Sequence, residues 1–247
     1  MPLLAALGAA VLLASGCASG TAPADRTLTV FAAASLTESF ELLAADFERD
    51  HPGTAVVLNL AGSPALAQQL VSGARADVFA AASADAAQVV VDAGLAEAPI
   101  VFATNRLALV VPAGNPADVA GLDDLARDDL AVALCDPVVP CGAASERALS
   151  VAGVDARPDT LEQDVKAVLT KVVLGEADAG LVYVTDARAA GDEVATIDVP
   201  GLADERTSYP VMALADAAEP DLAAAWIALL ASAEGRAVLA EAGFDAP

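Results

Sequence analysis

Short apolar runs alternate with segments of helical period along most of this chain, and that alternation limits its fold more than any other feature. LTVFA at 28–32 reads as a buried strand, and Leu36, Phe40, Leu43 and Phe47 then recur at the spacing of one helix face. VVLNL (56–60) precedes a helix from about Pro64 to Val71, and DVFAAA (77–82) precedes one from about Ala84 to Ala93 that Gly94 closes. The pattern repeats after RLALVVPAGNP (106–116), with strand LAVAL (130–134) and a helix from about Ala143 to Ala152. A helix from Asp164 to Leu174 closed by Gly175 and strand AGLVYV (179–184) follow. SGARADVF and LGEADAGLVY echo each other as helix end, turn and strand. Tyr209 to Leu214 gives another strand, and helices around Asp221–Ser232 and Glu234–Ala242 are expected to return to the first half. Such alternation predicts an α/β fold with a parallel sheet. The 247 residues suffice for two small lobes, expected as 28–103 with 209–247 and, between them, 104–208.

Before the first strand lies a segment that reads as an address. Leu3 to Leu13 is an apolar run of signal-peptide length, followed by Ala14, Ser15, Gly16 and Cys17. LLASGC resembles a bacterial lipobox, which predicts a signal peptide over 1–16, lipidation of Cys17, and a Ser/Gly/Pro/Ala tether over 17–27. The expected location is therefore extracytoplasmic, anchored by lipid to the membrane. Export also bears on Cys135 and Cys141, six apart in CDPVVPC: two cysteines in an exported chain suggest one disulfide, which the geometry of that loop permits but does not require.

Charge narrows the partners. Twelve Lys and Arg against 35 Asp and Glu leave −23, spread along the chain, so a nucleic-acid partner is not expected. No GxSxG, SxxK, HExxH, CxxC, GxGxxG or Walker A string occurs, so the chain is not read as an enzyme and no cofactor is expected. The single His, His51, stands in a polar turn leading out of a helix, and the only lysines, Lys166 and Lys171, share one predicted helix. What the chain does offer is helix N-termini opening directly after strands, where exposed N–H groups and the helix dipole favour anions. Ser35 in AAASLTE has capping-box spacing to Glu38, and Ser63 in AGSPALAQQL precedes Pro64 at a first helical turn. Ordinary helix capping is the bland reading of both serines.

VFAAASLT, AGSPALAQQL, ARADVFAAAS, CDPVVPCG, LEQDVKAVL and AGLVYVTDA occur in an order and spacing that resemble the periplasmic molybdate-binding proteins of ABC transporters, from about Leu28 to the C-terminus. The resemblance implies a two-lobed type II periplasmic-binding-protein fold with the ligand cleft between lobes. It also implies a tetrahedral oxyanion, molybdate or tungstate, handed to a membrane permease. Position by position it implies hydroxyl donors at Ser35, Ser63 and Tyr183 and backbone amide donors at Cys141 and Val165, with no direct cation ligands and a monomeric protein. Molybdate is fully deprotonated near neutral pH, so donors alone suit it. Sulfate, phosphate or tungstate alone are the alternatives, and an inward-facing Asp136 or Asp164 would favour protonated phosphate. An esterase using Ser35 or Ser63 and a structural adhesion lipoprotein are the readings from other classes.

Overall fold

Parallel strands fed by helices account for most of the chain, and their carboxyl ends set the site. The computed structural model describes residues 25–247; the expected signal segment 1–16, the lipidation site Cys17 and tether residues 18–24 lie outside the described residues. Strand β1 (Arg26–Ala33) runs through a one-turn 3-10 segment, Ala34–Leu36, into α1 (Thr37–Asp50), and β2 (Thr54–Ala61) leads to α2 (Ser63–Val71). Then come β3 (Val78–Ala80), α3 (Ala84–Asp92) and the long β4 (Ile100–Pro112). The second half comprises β5 (Val132–Cys135), α4 (Pro140–Ala152), β6 (Thr160–Glu162), α5 (Val165–Val173), β7 (Ala179–Tyr183), α6 (Val184–Ala190) and β8 (Val194–Ile197). β9 (Arg206–Ala213), α7 (Pro220–Ala231) and α8 (Ala233–Ala242) complete the chain. Gly94 and Gly175, expected to close helices, both adopt positive φ, 73° and 68°, which an L side chain resists.

The sheet is mixed where the alternation predicts a parallel one. Its order is β2-β1-β3-β9-β4-β7-β5-β6, with β8 paired to β4 off that path. β1 pairs in parallel with β2 and β3, and β5 with β6 and β7. β4 and β9 run antiparallel to each other and to their outer neighbours, β7 and β3. The reason is connectivity: β4 carries the chain out of the first half and β9 brings it back alongside, so the two must point in opposite directions. Thr104 faces Ser208 and Asn105 faces Thr207 in this crossing ladder. β4 then leaves β9 at Arg106 and pairs with β7 from Leu107.

Buried side chains gather accordingly. One cluster joins Leu28, Phe40 and Phe47 to Tyr209, Trp226 and Phe244. Phe40 and Phe47 each stand edge-on to the fully buried Trp226 at 5.4 Å, a geometry worth about 0.5–1.5 kcal/mol per pair beyond area burial. A smaller cluster, including Leu66, Phe79 and Val90, fills the space beneath α2 and α3. The remaining large cluster lies wholly within 107–202, around Leu109, Leu125, Val168, Val172 and Leu181. The apolar C-terminal run is core: Leu222, Ala223, Trp226 and Leu230 of α7 are buried. Among the described residues no single helix is long and apolar enough to cross a membrane, and α7 and α8 bend by 63° where they meet.

Candidate functional site

Five strands end around one cavity. β1 delivers Ser35, β2 delivers Ser63, β7 ends in Tyr183, and the turns after β5 and β6 deliver Cys141 and Val165. All five residues line a single small cavity of about 20 Å³, far below the roughly 300–1,000 Å³ of clefts that take organic ligands. Ligands of α/β folds bind at such carboxyl ends of strands.

Both serines depart from the capping expectation. Ser35 lies inside the 3-10 turn ahead of α1, whose first residues receive no side-chain cap; its Oγ sits 2.7 Å from Tyr209 Oη instead. Glu38, the expected partner in a capping box, reaches Lys166 of α5 at 2.6 and 2.8 Å. Ser63 is the first residue of α2, Gly62 takes the cap position, and the Ala82 amide donates to Ser63 Oγ at 2.9 Å. A hydroxyl whose oxygen accepts from behind still has its hydrogen to give, so Ser63 keeps a hydrogen free to donate. Ser35 is 4% and Ser63 1% exposed.

The opposite wall is main chain. Cys141 is the second residue of α4 and Val165 the first of α5, positions whose N–H groups have no partner within their helix. Pro140 ahead of Cys141 suits a first turn because it lacks the N–H that would go unpaired. Cys135 and Cys141 are joined by a disulfide, with Cα atoms 5.7 Å apart, so the end of β5 is tied to the first turn of α4. Asp164 lines the cavity, but its Oδ1 caps α5 by accepting from the Ala167 amide. Asp136 turns its Oδ1 to the Val138 amide and is not part of the lining. Asp136 thus stays out of the cavity, and Asp164 has one of its two oxygens committed to the start of α5.

Tyr183 is 1% exposed, and its Oη has no hydrogen-bond partner among the described residues; Thr207 Oγ1 shares that condition. Burial pushes the phenol well above its ordinary value, only partly opposed by the neighbouring Thr207, so it stays a neutral donor. An unpaired buried hydroxyl costs on the order of 1–3 kcal/mol, and this one belongs to a residue of the cavity wall.

Charge sits behind the cavity. Asp186 of α6 is fully buried; its Oδ2 accepts from the Tyr183 amide at 3.2 Å, and Lys166 Nζ lies 3.1 Å from its Oδ1. Burial pushes Asp186 up to about 6, with Lys166 opposing. Burial lowers Lys166, but Asp186 and Glu38 outweigh it and the net shift is upward. Lys166 thereby bridges α1 on one side of the cavity to α6 on the other. The two walls are in contact there and at Gly62, where an added Cβ would lie 2.4 Å from Gln163 O. His51 ends α1, stacked on Phe47 with Nδ1 against Phe47 O, away from the cavity. No group of three or more His, Cys, Asp and Glu able to hold a metal ion occurs among the described residues.

Sequence reasoning missed Tyr209, Asn105, Asp186 and the bridging role of Lys166. Tyr209 had one available signal: the chain has only two tyrosines, both in strands.

Comparison with known proteins places the chain. The family model described as bacterial extracellular solute-binding protein matches residues 28–245. The molybdate-binding protein ModA of Mycobacterium tuberculosis (strain ATCC 25618 / H37Rv) is 41% identical over 232 residues, 93% of this chain and 88% of that protein. A putative ABC transporter substrate-binding lipoprotein of Bacillus subtilis, YvgL, is 35% identical over 188 residues, 72% of each chain. The solved periplasmic molybdate-binding protein of Azotobacter vinelandii superposes with a TM-score of 0.76 at 22% identity, covering 89% of this chain and 99% of that one.

Proposed function

The chain belongs to the bacterial extracellular solute-binding protein family, and from that premise we propose that it captures molybdate, with tungstate as a close substitute, and delivers it to the permease of an ABC transporter. Ser35, Ser63 and Tyr183 are the proposed hydroxyl donors, and the amides of Cys141 and Val165 complete the set. The observation that carries the reading is the buried Tyr183 hydroxyl, without a hydrogen-bond partner among the described residues, in the wall of a small cavity that Ser35, Ser63 and the starts of α4 and α5 also line. An anion with no proton to give requires nothing else: preorganised neutral donors in a water-poor site stabilise its charge without a counter-ion. The relative that is 41% identical and named as a molybdate-binding protein supports the choice among tetrahedral anions.

In this proposal residues 28–103 with 209–247 close against 104–208 about the paired strands at Thr104 and Ser208, and the bound anion favours the closed form. The −23 charge slows long-range capture, though salt screens it beyond about 10 Å, so tight binding comes from slow release. The protein acts as a monomer held to the membrane by lipid on Cys17, and it carries out no catalysis.

The test is thermal unfolding with molybdate, tungstate, sulfate, phosphate and chromate. Molybdate at 100 times its dissociation constant should stabilise the fold by about 2.7 kcal/mol. A shift with sulfate or phosphate alone overturns the molybdate assignment.

A further inference from the structure

Behind Ser35 lies a line of buried polar groups whose hydrogen directions can be worked out one from the next. Asn105, Thr185, Tyr209 and Ser35 are all buried, Asn105 and Tyr209 completely. The Arg106 amide donates to Asn105 Oδ1 at 2.9 Å. That contact fixes which end of the Asn105 amide is oxygen and leaves the NH2 group facing the other way. There it donates to Thr185 Oγ1 at 2.9 Å and to Tyr209 Oη at 3.4 Å. An NH2 group cannot accept, so Tyr209 Oη is the acceptor in that pair and its own hydrogen must go elsewhere. The other polar atom bonded to Tyr209 Oη is Ser35 Oγ, 2.7 Å away. Satisfying that buried hydrogen requires Ser35 Oγ to accept, which leaves the Ser35 hydrogen for the cavity it lines.

We propose that Tyr209, oriented by Asn105, is a positioning residue that fixes Ser35 as a hydrogen-bond donor toward the ligand and so makes the cavity reject anions that carry a proton. The inference rests on the reading of Ser35 as a ligand hydroxyl. Tyr209 itself does not line the cavity; it acts through Ser35. A free serine hydroxyl can turn either its hydrogen or a lone pair toward a ligand, and the lone pair would welcome the proton of hydrogen phosphate. The relay frees the Ser35 hydrogen for the ligand, whereas a Ser35 that donated to Tyr209 would face the cavity with lone pairs alone; the Ala82 amide likewise leaves the Ser63 hydrogen free. Both members that set the direction stand on the crossing strands, Asn105 on β4 and Tyr209 on β9, and Thr185 belongs to α6. Ser35 is thus oriented from the strands that join the two halves rather than by its own helix.

Phenylalanine at 209 keeps the ring and its edge-on contacts to Phe102, Tyr183 and Phe244 but frees the Ser35 hydroxyl to rotate. Tyr209→Phe should weaken molybdate binding by about 2- to 12-fold, the range for one lost neutral hydrogen bond. In a Ser35→Ala background the same change should have no further effect. Inorganic phosphate and sulfate, measured at mildly alkaline pH where both are dianions and only phosphate holds a proton, give the second readout: Tyr209→Phe should raise phosphate affinity relative to sulfate. Equal losses from Tyr209→Phe with and without Ser35, or an unchanged phosphate-to-sulfate ratio, overturn the relay. If Ser35→Ala alone binds molybdate as the parent does, the assignment of Ser35 to the site fails instead, and the relay to a ligand fails with it. Should Tyr209→Phe not fold, Asn105→Asp carries the test. A carboxylate there accepts from Tyr209, reverses the chain and turns a Ser35 lone pair to the cavity. The phosphate-to-sulfate ratio should then rise further, and the added charge cancels because both probes are dianions; no rise overturns the proposal.

Discussion

On one side of the cavity, Ser35 and Ser63 present hydroxyls already engaged from behind, by Tyr209 and by the Ala82 amide. On the other side, Cys141 and Val165 present only main-chain N–H groups at the starts of α4 and α5, and Tyr183 adds a phenol with no hydrogen-bond partner among the described residues. The first wall is thus made of side chains whose identity matters and whose removal breaks an internal bond as well. The second wall is made of backbone, whose donors survive substitution as long as the turns hold their place. Its one side-chain donor is already short of a partner.

The sharpest break of that contrast sets Ser63→Ala against Tyr183→Phe. Each removes one donor to a charged ligand, an interaction of about 1.5–3 kcal/mol, so each should weaken molybdate binding by roughly 10- to 150-fold. Their effects on the ligand-free fold should differ. Ser63→Ala strands the Ala82 amide and should cost about 1–3 kcal/mol of stability, whereas Tyr183→Phe deletes a hydroxyl with no hydrogen-bond partner among the described residues and should leave stability level or raised. Titration calorimetry and denaturant unfolding measure the two quantities. Equal stability losses would erase the distinction between the walls, and unchanged affinity in both variants would move the pocket elsewhere.

The same contrast explains what the sequence could reveal. Of the proposed donors, Ser35 and Ser63 are visible as hydroxyls at helix starts after strands, where ordinary capping competes as a reading. Tyr183, Cys141 and Val165 are pointed to by the resemblance to a family alone, since a strand tyrosine reads as core and any residue has the amide. The strand–helix alternation was legible because burial imposes a period, so α1 and α5 fall close to where Leu36, Phe40, Leu43 and Phe47, or Asp164 and Gly175, put them. The antiparallel pairing of β4 and β9 was not, because a strand's period does not state its direction. Nor was the partner of Ser35: Tyr209 lies 174 residues away, and capping-box spacing to Glu38 offered a nearer answer that the fold does not use.

A smaller effect tests the charge behind the second wall. Burial holds the Asp186 carboxyl at about 6 against an ordinary 3.8, Lys166 opposing, so the folded state grips this proton more tightly than the unfolded chain. Its contribution to stability is fullest below the unfolded value and is lost as pH rises through about 6. Asparagine does not titrate. Relative to Asp186→Asn, the parent should lose on the order of 2–3 kcal/mol of unfolding free energy between about pH 4 and 7. Parallel stability curves for the two proteins across that interval would place the proton elsewhere.

The smallest change is expected from the disulfide, although it touches a proposed ligand residue. Cys135→Ala with Cys141→Ala removes the link but keeps the amide at 141. The chain-entropy model gives a loop this short about 2 kcal/mol of stabilisation. The turn it closes is also held by other means. The Asp136 amide donates to Glu162 O, the Val139 amide to Asp136 O and the Ala143 amide to Val139 O. Gly142 lies so close to Asp136 O that a Cβ there would stand 2.0 Å away. With the turn fixed by these contacts, the 141 amide should stay in place and molybdate affinity should fall less than the roughly 10-fold expected of a lost charged hydrogen bond. A larger loss would mean that the backbone wall depends on its covalent tie and is no more tolerant of substitution than the serine wall. Mass spectrometry of the parent purified without reductant supplies the control, since free thiols at both Cys135 and Cys141 would show that no bridge forms and that any loss belongs to the side chains themselves.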